Sequence, residues 1–145
     1  MRLDRIVVGI DGSANSDRAA DVAATLADLS GARVLAVHST GLLEAMPSEG
    51  TTAAERRSEL RHHLEHEWTD VLRHPDIDVR CELREAAPVD GLLAAISEFD
   101  ADLVIVGCRG VGVVPTQLLG STSAQLAIVT PCPILIVPDR LARTT

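Results

Sequence analysis

Apolar and polar positions alternate along this chain in two regular ways. Continuous apolar runs occupy residues 6–10, 34–37, 103–106 and 134–137, while residues 77–83 alternate, with Ile77, Val79, Cys81 and Leu83 apolar. Runs this short, rich in Val and Ile and bounded by turn residues, predict β-strands. Between them apolar side chains recur at three- and four-residue intervals, the spacing of one helical face. The first such stretch carries Ala19, Val22, Ala23, Leu26 and Leu29, with Ser16 as its expected cap and Gly31 at its end. The second, residues 54–73, sets Leu60, Leu64, Trp68, Val71 and Leu72 on one side, and His74-Pro75 stops it. The third opens at Pro88 and buries Val89, Leu92, Leu93, Ile96 and Phe99, and the fourth is expected from Ser121 to about residue 129. Residues 41–52, with Pro47 and Gly50, have no period and read as a loop that can fold over the strand ends.

Strands that are apolar on both faces and alternate with helices call for a parallel sheet covered on each side, an α/β doubly wound arrangement of five strands. The alternating third strand fits an edge with one wetter face. In such sheets ligands bind beyond the carboxyl ends of the strands, where strand order reverses. The first strand ends there at Asp11-Gly12-Ser13. The fourth breaks at Gly107 into a loop with Gly110 and Gly112, glycines that permit positive φ and leave backbone N–H groups uncovered. Gly120 and Ser121 then stand where a helix should begin, and exposed amides with a helix N-terminus make a cradle for a phosphate chain.

Gly107, Gly110, Gly120 and Ser121 are spaced G-x2-G-x9-G-S, and this segment resembles the nucleotide-binding motif of the universal stress proteins. The opening VVGIDGS, residues 7–13, and the closing PCPILIVP, residues 131–138, resemble that family's first and last strands. The resemblance spans nearly the whole chain. It implies one Rossmann-like, adenine-nucleotide-binding domain over residues 1–145, with ATP, or AMP or cyclic AMP, as ligand. It places Asp11 against the ribose or against Mg²⁺ held by the phosphates, Gly9 where the nucleotide approaches closely, and Ser39 where a main-chain group recognises adenine. Thr122 and Cys108 depart from the family, which has Val and often Ser at those positions. The last strand, Ile134, Leu135, Ile136 and Val137, is too apolar for a bare edge. In the family it pairs with its counterpart, which implies a homodimer.

Each candidate has a plainer reading. Asp11 fits an Asx turn onto Ser13 as well as a ligand. Arg109 can reach phosphates as a fork of donors or face solvent. Among Ser121, Thr122 and Ser123 one hydroxyl is expected to cap the helix, with a phosphate oxygen sharing the site. His62, Glu65 and His66 match H-x-x-E-H, a zinc-peptidase signature, but on a charged solvated helix with no third ligand the match reads as coincidence. Cys108 has a redox reading only if its thiol pKa is lowered.

Composition narrows the chemistry. The 145 residues carry a net charge of −8, which disfavours a nucleic-acid partner but not a small nucleotide bound by local amide dipoles. All 13 basic residues are Arg, so a Walker A lysine and a Schiff-base lysine are excluded. Three cysteines without a C-x-x-C pair suggest neither a disulfide framework nor structural zinc. No signal-like or membrane-spanning run is evident, so a cytoplasmic protein without a membrane partner is expected. These readings converge on an ATP-binding sensor or regulator in the stress response, with at most slow hydrolysis because Arg109 is the sole cation at hand. The alternative is a dimeric adaptor of the same fold acting through protein contacts. An enzyme acting at the α-phosphate is disfavoured, since the Ser-Gly-Gly loop expected after the first strand is absent.

Overall fold

The computed structural model describes residues 1–43, 50–109 and 119–139. Five strands and four α-helices alternate: β1 (Arg5–Gly9), α1 (Ala14–Ser30), β2 (Arg33–Ser39), α2 (Ala53–His66), β3 (Val79–Arg84), α3 (Pro88–Phe99), β4 (Leu103–Gly107), α4 (Ser121–Val129) and β5 (Ile134–Val137). All pairings are parallel, in the order β3-β2-β1-β4-β5. The chain therefore winds outward from β1 to β3, returns to lay β4 on the other side of β1, and ends at β5. The reversal between β1 and β4 opens a crevice beyond their carboxyl ends.

Period-two alternation divides the core. Ile6, Val8, Val34, Ala36 and Ile105 face α1 and α2, packing on Ala19, Ala20, Ala23, Ala27 and Leu64. Val7, Leu35, Val37, Val104 and Val106 face α3 and α4, packing on Leu92, Ala95, Ile96 and Leu126. Alanine dominates the buried side of α1 because the helix lies close against the sheet, where larger side chains would not fit. Leu29, expected on that side, is instead 79% exposed, and Ala27 takes the buried place. At the opposite end of the sheet Asp102 ties β4 to β1: its Oδ2 accepts from the Asp4 and Arg5 amides at 2.8 and 2.9 Å. Those bonds hold its carboxyl below the ordinary aspartate range.

Helix boundaries bring two corrections. The cap of α1 is Ser13, not Ser16, with its hydroxyl accepting from the Ser16 amide at 3.1 Å. The expected helix over residues 54–73 ends at His66, and a single 3₁₀ turn follows over Asp70–Leu72. Thr69 Oγ1 donates to Leu64 O at 2.6 Å, taking a carbonyl from the helix ladder and turning the chain. Gly31 ends α1 at φ 76°, as its position predicts, and β3 lies at a sheet edge. Gly110, Gly112 and the central part of the expected loop over residues 41–52 lie outside the described residues.

Candidate functional site

The crevice between β1 and β4 holds a cavity of about 290 Å³. Its apolar wall comes from Val37, Leu92, Val106 and Pro88, and its polar rim from Asp11, Arg109 and the start of α4. Of the residues singled out from sequence, Gly9, Asp11, Ser39, Gly107, Arg109, Gly120, Ser121, Thr122 and Ser123 all line it. They come from the ends of β1, β2 and β4 and the first turn of α4, so the sheet topology alone brings them together.

The three β1–β4 crevice glycines have different physical reasons. A Cβ on Gly9 would stand 3.1 Å from Val106 Cγ1 and 3.5 Å from Leu92, the floor of the cavity. A Cβ on Gly107 would stand 2.8 Å from Asn15 Cβ and 2.9 Å from Asn15 O. Gly107 is therefore required by the close approach of α1 and not by positive φ, contrary to the expectation for this loop. Gly120 leads into α4 with extended backbone, φ −67° and ψ 156°, and brings no capping side chain.

The hydroxyls behind it correct a second expectation, since none of them caps the helix. Ser123 turns back and donates to Gly107 O at 3.1 Å and Cys108 O at 3.2 Å, clamping α4 onto the end of β4. Among the described residues the first-turn amides of α4 thus have no side-chain cap, and no acidic residue lies in that turn. Such a terminus presents partial positive charge and unpaired donors, the chemistry of an anion site.

Asp11 takes the turn role: its Oδ1 accepts from the Ser13 amide at 2.9 Å and the Ser13 hydroxyl at 2.5 Å while the residue also lines the cavity. Ser39 Oγ donates to Ala86 O at 2.6 Å and lies so close to α3 that a Cβ on Gly91 would overlap it. Cys108 is buried, and its thiol donates to Asn15 Oδ1 at 3.3 Å. Arg109 Nη1 lies 3.7 Å from Asp139 Oδ2, and its buried Nε has no hydrogen-bond partner among the described residues.

Sequence reasoning passed over a second ring of residues. Asn15 joins Gly107, Cys108 and Asp139, to which its Nδ2 donates at 2.8 Å. Nothing in the local sequence marked it: Asn15 is the second residue of α1, followed by Ser16, Asp17 and Arg18. Trp68 packs against Gly12, where a Cβ would lie 2.8 Å from its ring and φ is +81°, so only glycine fits the turn. The Trp68 ring also meets His38 edge-on at 5.1 Å and stacks on His63 at 5.5 Å. His38 Nδ1 donates to Ile10 O at 2.7 Å. Burial pushes its imidazole below the ordinary histidine value, outweighing the opposite pull of that bond.

Metal chemistry finds no support at H-x-x-E-H. The rings of His62 and His66 are 4.8 Å apart, and among the described residues no third donor converges with them. Among the described residues one trio of donors converges, Asp28, His74 and Asp76; it is exposed and does not line the cavity. No helix of the described residues is long and apolar enough to cross a membrane.

The fold and the cavity together define a doubly wound α/β protein with a crevice at its topological switch point. The chain belongs to the universal stress protein family, whose model matches residues 2–138. A universal stress protein of Thermus aquaticus is 34% identical over 134 residues, 91% of this chain and 96% of that protein. Among solved structures, a universal stress protein in complex with cAMP is 31% identical, covers 94% of this chain and 98% of its own, and superposes with a TM-score of 0.64. The universal stress protein of Archaeoglobus fulgidus in complex with dAMP is 25% identical, with coverages of 94% and 99% and a TM-score of 0.68.

Proposed function

We propose that the β1–β4 cavity binds an adenine nucleotide, with ATP as the leading candidate, and that the protein acts as a nucleotide-dependent sensor or regulator in the cytoplasmic stress response. The uncapped start of α4 carries this reading, because it opens into the same cavity as an apolar slot. The slot of Val37, Leu92, Val106 and Pro88 suits a flat base, and Ser39 at the end of β2 offers its main chain to the base edge. Asp11, which lines the cavity, would accept from the ribose hydroxyls or ligate Mg²⁺ on the phosphates, chemistry a carboxylate supplies readily. Gly107, Gly110, Gly120, Ser121, Thr122 and Ser123 would then surround the phosphates. The volume, at the lower end of the roughly 300–1,000 Å³ usual for small-molecule sites, suits a nucleoside with its phosphates at the rim. The complexes of the two relatives with cAMP and dAMP favour adenine over other bases.

Hydrolysis is expected to be slow. Phosphoryl transfer depends on positioned cations, and Arg109 is the one cationic side chain among the described residues of the cavity. Titration of the purified protein with Mg-ATP, AMP and cyclic AMP tests the reading, and absence of saturable binding at millimolar nucleotide would overturn it.

The same single domain is proposed to work as a homodimer. β5 is an edge strand, and Leu135 within it is 37% exposed, with Ile128 at the end of α4 84% exposed. Pairing of Ile134, Leu135, Ile136 and Val137 with their counterparts would cover that edge. A monomeric mass in light scattering at micromolar concentration would refute it.

A further inference from the structure

Arg109 follows β4 and Asp139 follows β5, side by side at the rim of the sheet. Asp139 is anchored from α1: Asn15 Nδ2 donates to its Oδ1 at 2.8 Å, and Arg18 Nη1 lies 3.9 Å from the same oxygen. Asn15 is itself buried, held by the Cys108 thiol and packed on Gly107. The carboxylate thus keeps its place without help from Arg109. Arg109 is held loosely in return, with Nη1 at 3.7 Å from Asp139 Oδ2, beyond hydrogen-bond range, and with its buried Nε unpartnered among the described residues. A buried donor lacking an acceptor carries a free-energy cost that an incoming anion relieves. Arg109 lines the cavity beside Gly120 and Ser121, and Asp139 does not. An anion arriving there competes with a fixed carboxylate for one guanidinium.

We infer that Asp139 is a specificity-determining counter-charge, which partly neutralises Arg109 and so sets how steeply affinity rises with the number of phosphates on the bound nucleotide. The inference rests on the nucleotide reading above. Its physical basis is Coulombic: removing one negative charge beside the cation strengthens the pull on every phosphate added, and leaves an uncharged nucleoside indifferent.

The test is isothermal titration of ATP, AMP and adenosine into the unaltered protein, Asp139→Asn, Arg109→Gln and the double variant at fixed ionic strength. Asparagine at 139 keeps an oxygen to accept from Asn15, so the anchor persists. Asp139→Asn should tighten ATP by about fivefold and AMP by about twofold, with adenosine unchanged. The gain should vanish in the Arg109→Gln background and shrink as salt is raised. Arg18→Gln should act oppositely, leaving Arg109 as the one cation beside Asp139 among the described residues and weakening ATP by about twofold. ATP affinity unchanged or lowered in Asp139→Asn, an equal change for adenosine, or a gain that survives without Arg109 would overturn the inference while leaving nucleotide binding intact. Failure of the underlying reading looks different: the unaltered protein would bind none of the three ligands, adenosine included, and both readings would fall.

Discussion

Ser13 and Gly120 stand at the starts of α1 and α4 with nearly the same backbone, φ −79° and ψ 161° against φ −67° and ψ 156°. Both lead into the same crevice. At Ser13 the hydroxyl accepts from the Ser16 amide, Asp11 accepts from Ser13, and Asp17 adds negative charge to the first turn. Burial, and then repulsion from Asp21 and Asp11, pushes the Asp17 carboxyl above the ordinary aspartate value. At Gly120 there is no side chain, no acid in the first turn, and a serine hydroxyl turned away toward β4. Equal geometry with opposite chemistry means that the identity of the cap decides which helix start can receive an anion. The α1 terminus is capped by its own side chains, whereas the α4 terminus has no side-chain cap among the described residues, the difference on which the nucleotide proposal rests.

That contrast can be broken deliberately. Gly120→Asp would give α4 a side-chain cap, as Ser13 gives α1, and would add a negative charge there, as Asp17 does in the first turn of α1. It should lower ATP affinity by about 100-fold or more through like-charge repulsion, and because the added Cβ would stand 3.3 Å from the Arg109 Cα and the Cys108 O it should also lower the melting transition; calorimetry and thermal unfolding read the two effects separately. Gly107→Ala forces a methyl group into the Asn15 backbone and should destabilise the fold by about 2 kcal/mol in urea unfolding, with any loss of binding secondary to that change. Ser13→Ala removes the cap of α1 and should cost about 1 kcal/mol of stability, with ATP affinity held within about twofold. If Ser13→Ala instead abolished binding, the division of labour between the two termini would be wrong.

The smallest effect concerns His38. Its folded-state pKa lies below the ordinary value of about 6.5, so the unfolded chain takes up the proton first as pH falls. The stability it supports is therefore present above about pH 6.5 and is lost as pH falls through that value toward the folded pKa. His38→Gln should flatten the decline between pH 7 and pH 5 by less than about 1 kcal/mol in urea midpoints.

Much of this architecture could be read from local pattern. Apolar runs at 6–10 and 103–106 could only be doubly covered strands, and the polar alternation around Cys81 could only be an edge. Gly31 marked a helix end because the left-handed region excludes most other residues. What escaped were choices made by contacts distant in sequence. Ser13 and Ser16 are equally good caps in isolation, and the Asp11 turn selects between them. The end of α2 is fixed by Thr69 folding back and Trp68 seating on Gly12, not by the proline at 75. Leu29 continued the apolar spacing of α1, but the stripe that meets the sheet runs through Ala19, Ala20, Ala23 and Ala27 and leaves Leu29 outside it. The candidate site was legible where it followed strand ends, at Asp11, Ser39 and Gly107. Asn15 and Asp139 were not, because 124 residues separate two side chains that meet only once β5 lies beside β4.

The seating of Trp68 on Gly12 has a practical corollary. With one tryptophan and no tyrosine in the chain, near-ultraviolet emission of the whole protein originates from a single indole. That indole rests against the turn carrying Asp11 and against His38, both at the cavity. The molecule carries its own optical gauge, whose colour and brightness should follow any rearrangement of the first turn without an added label.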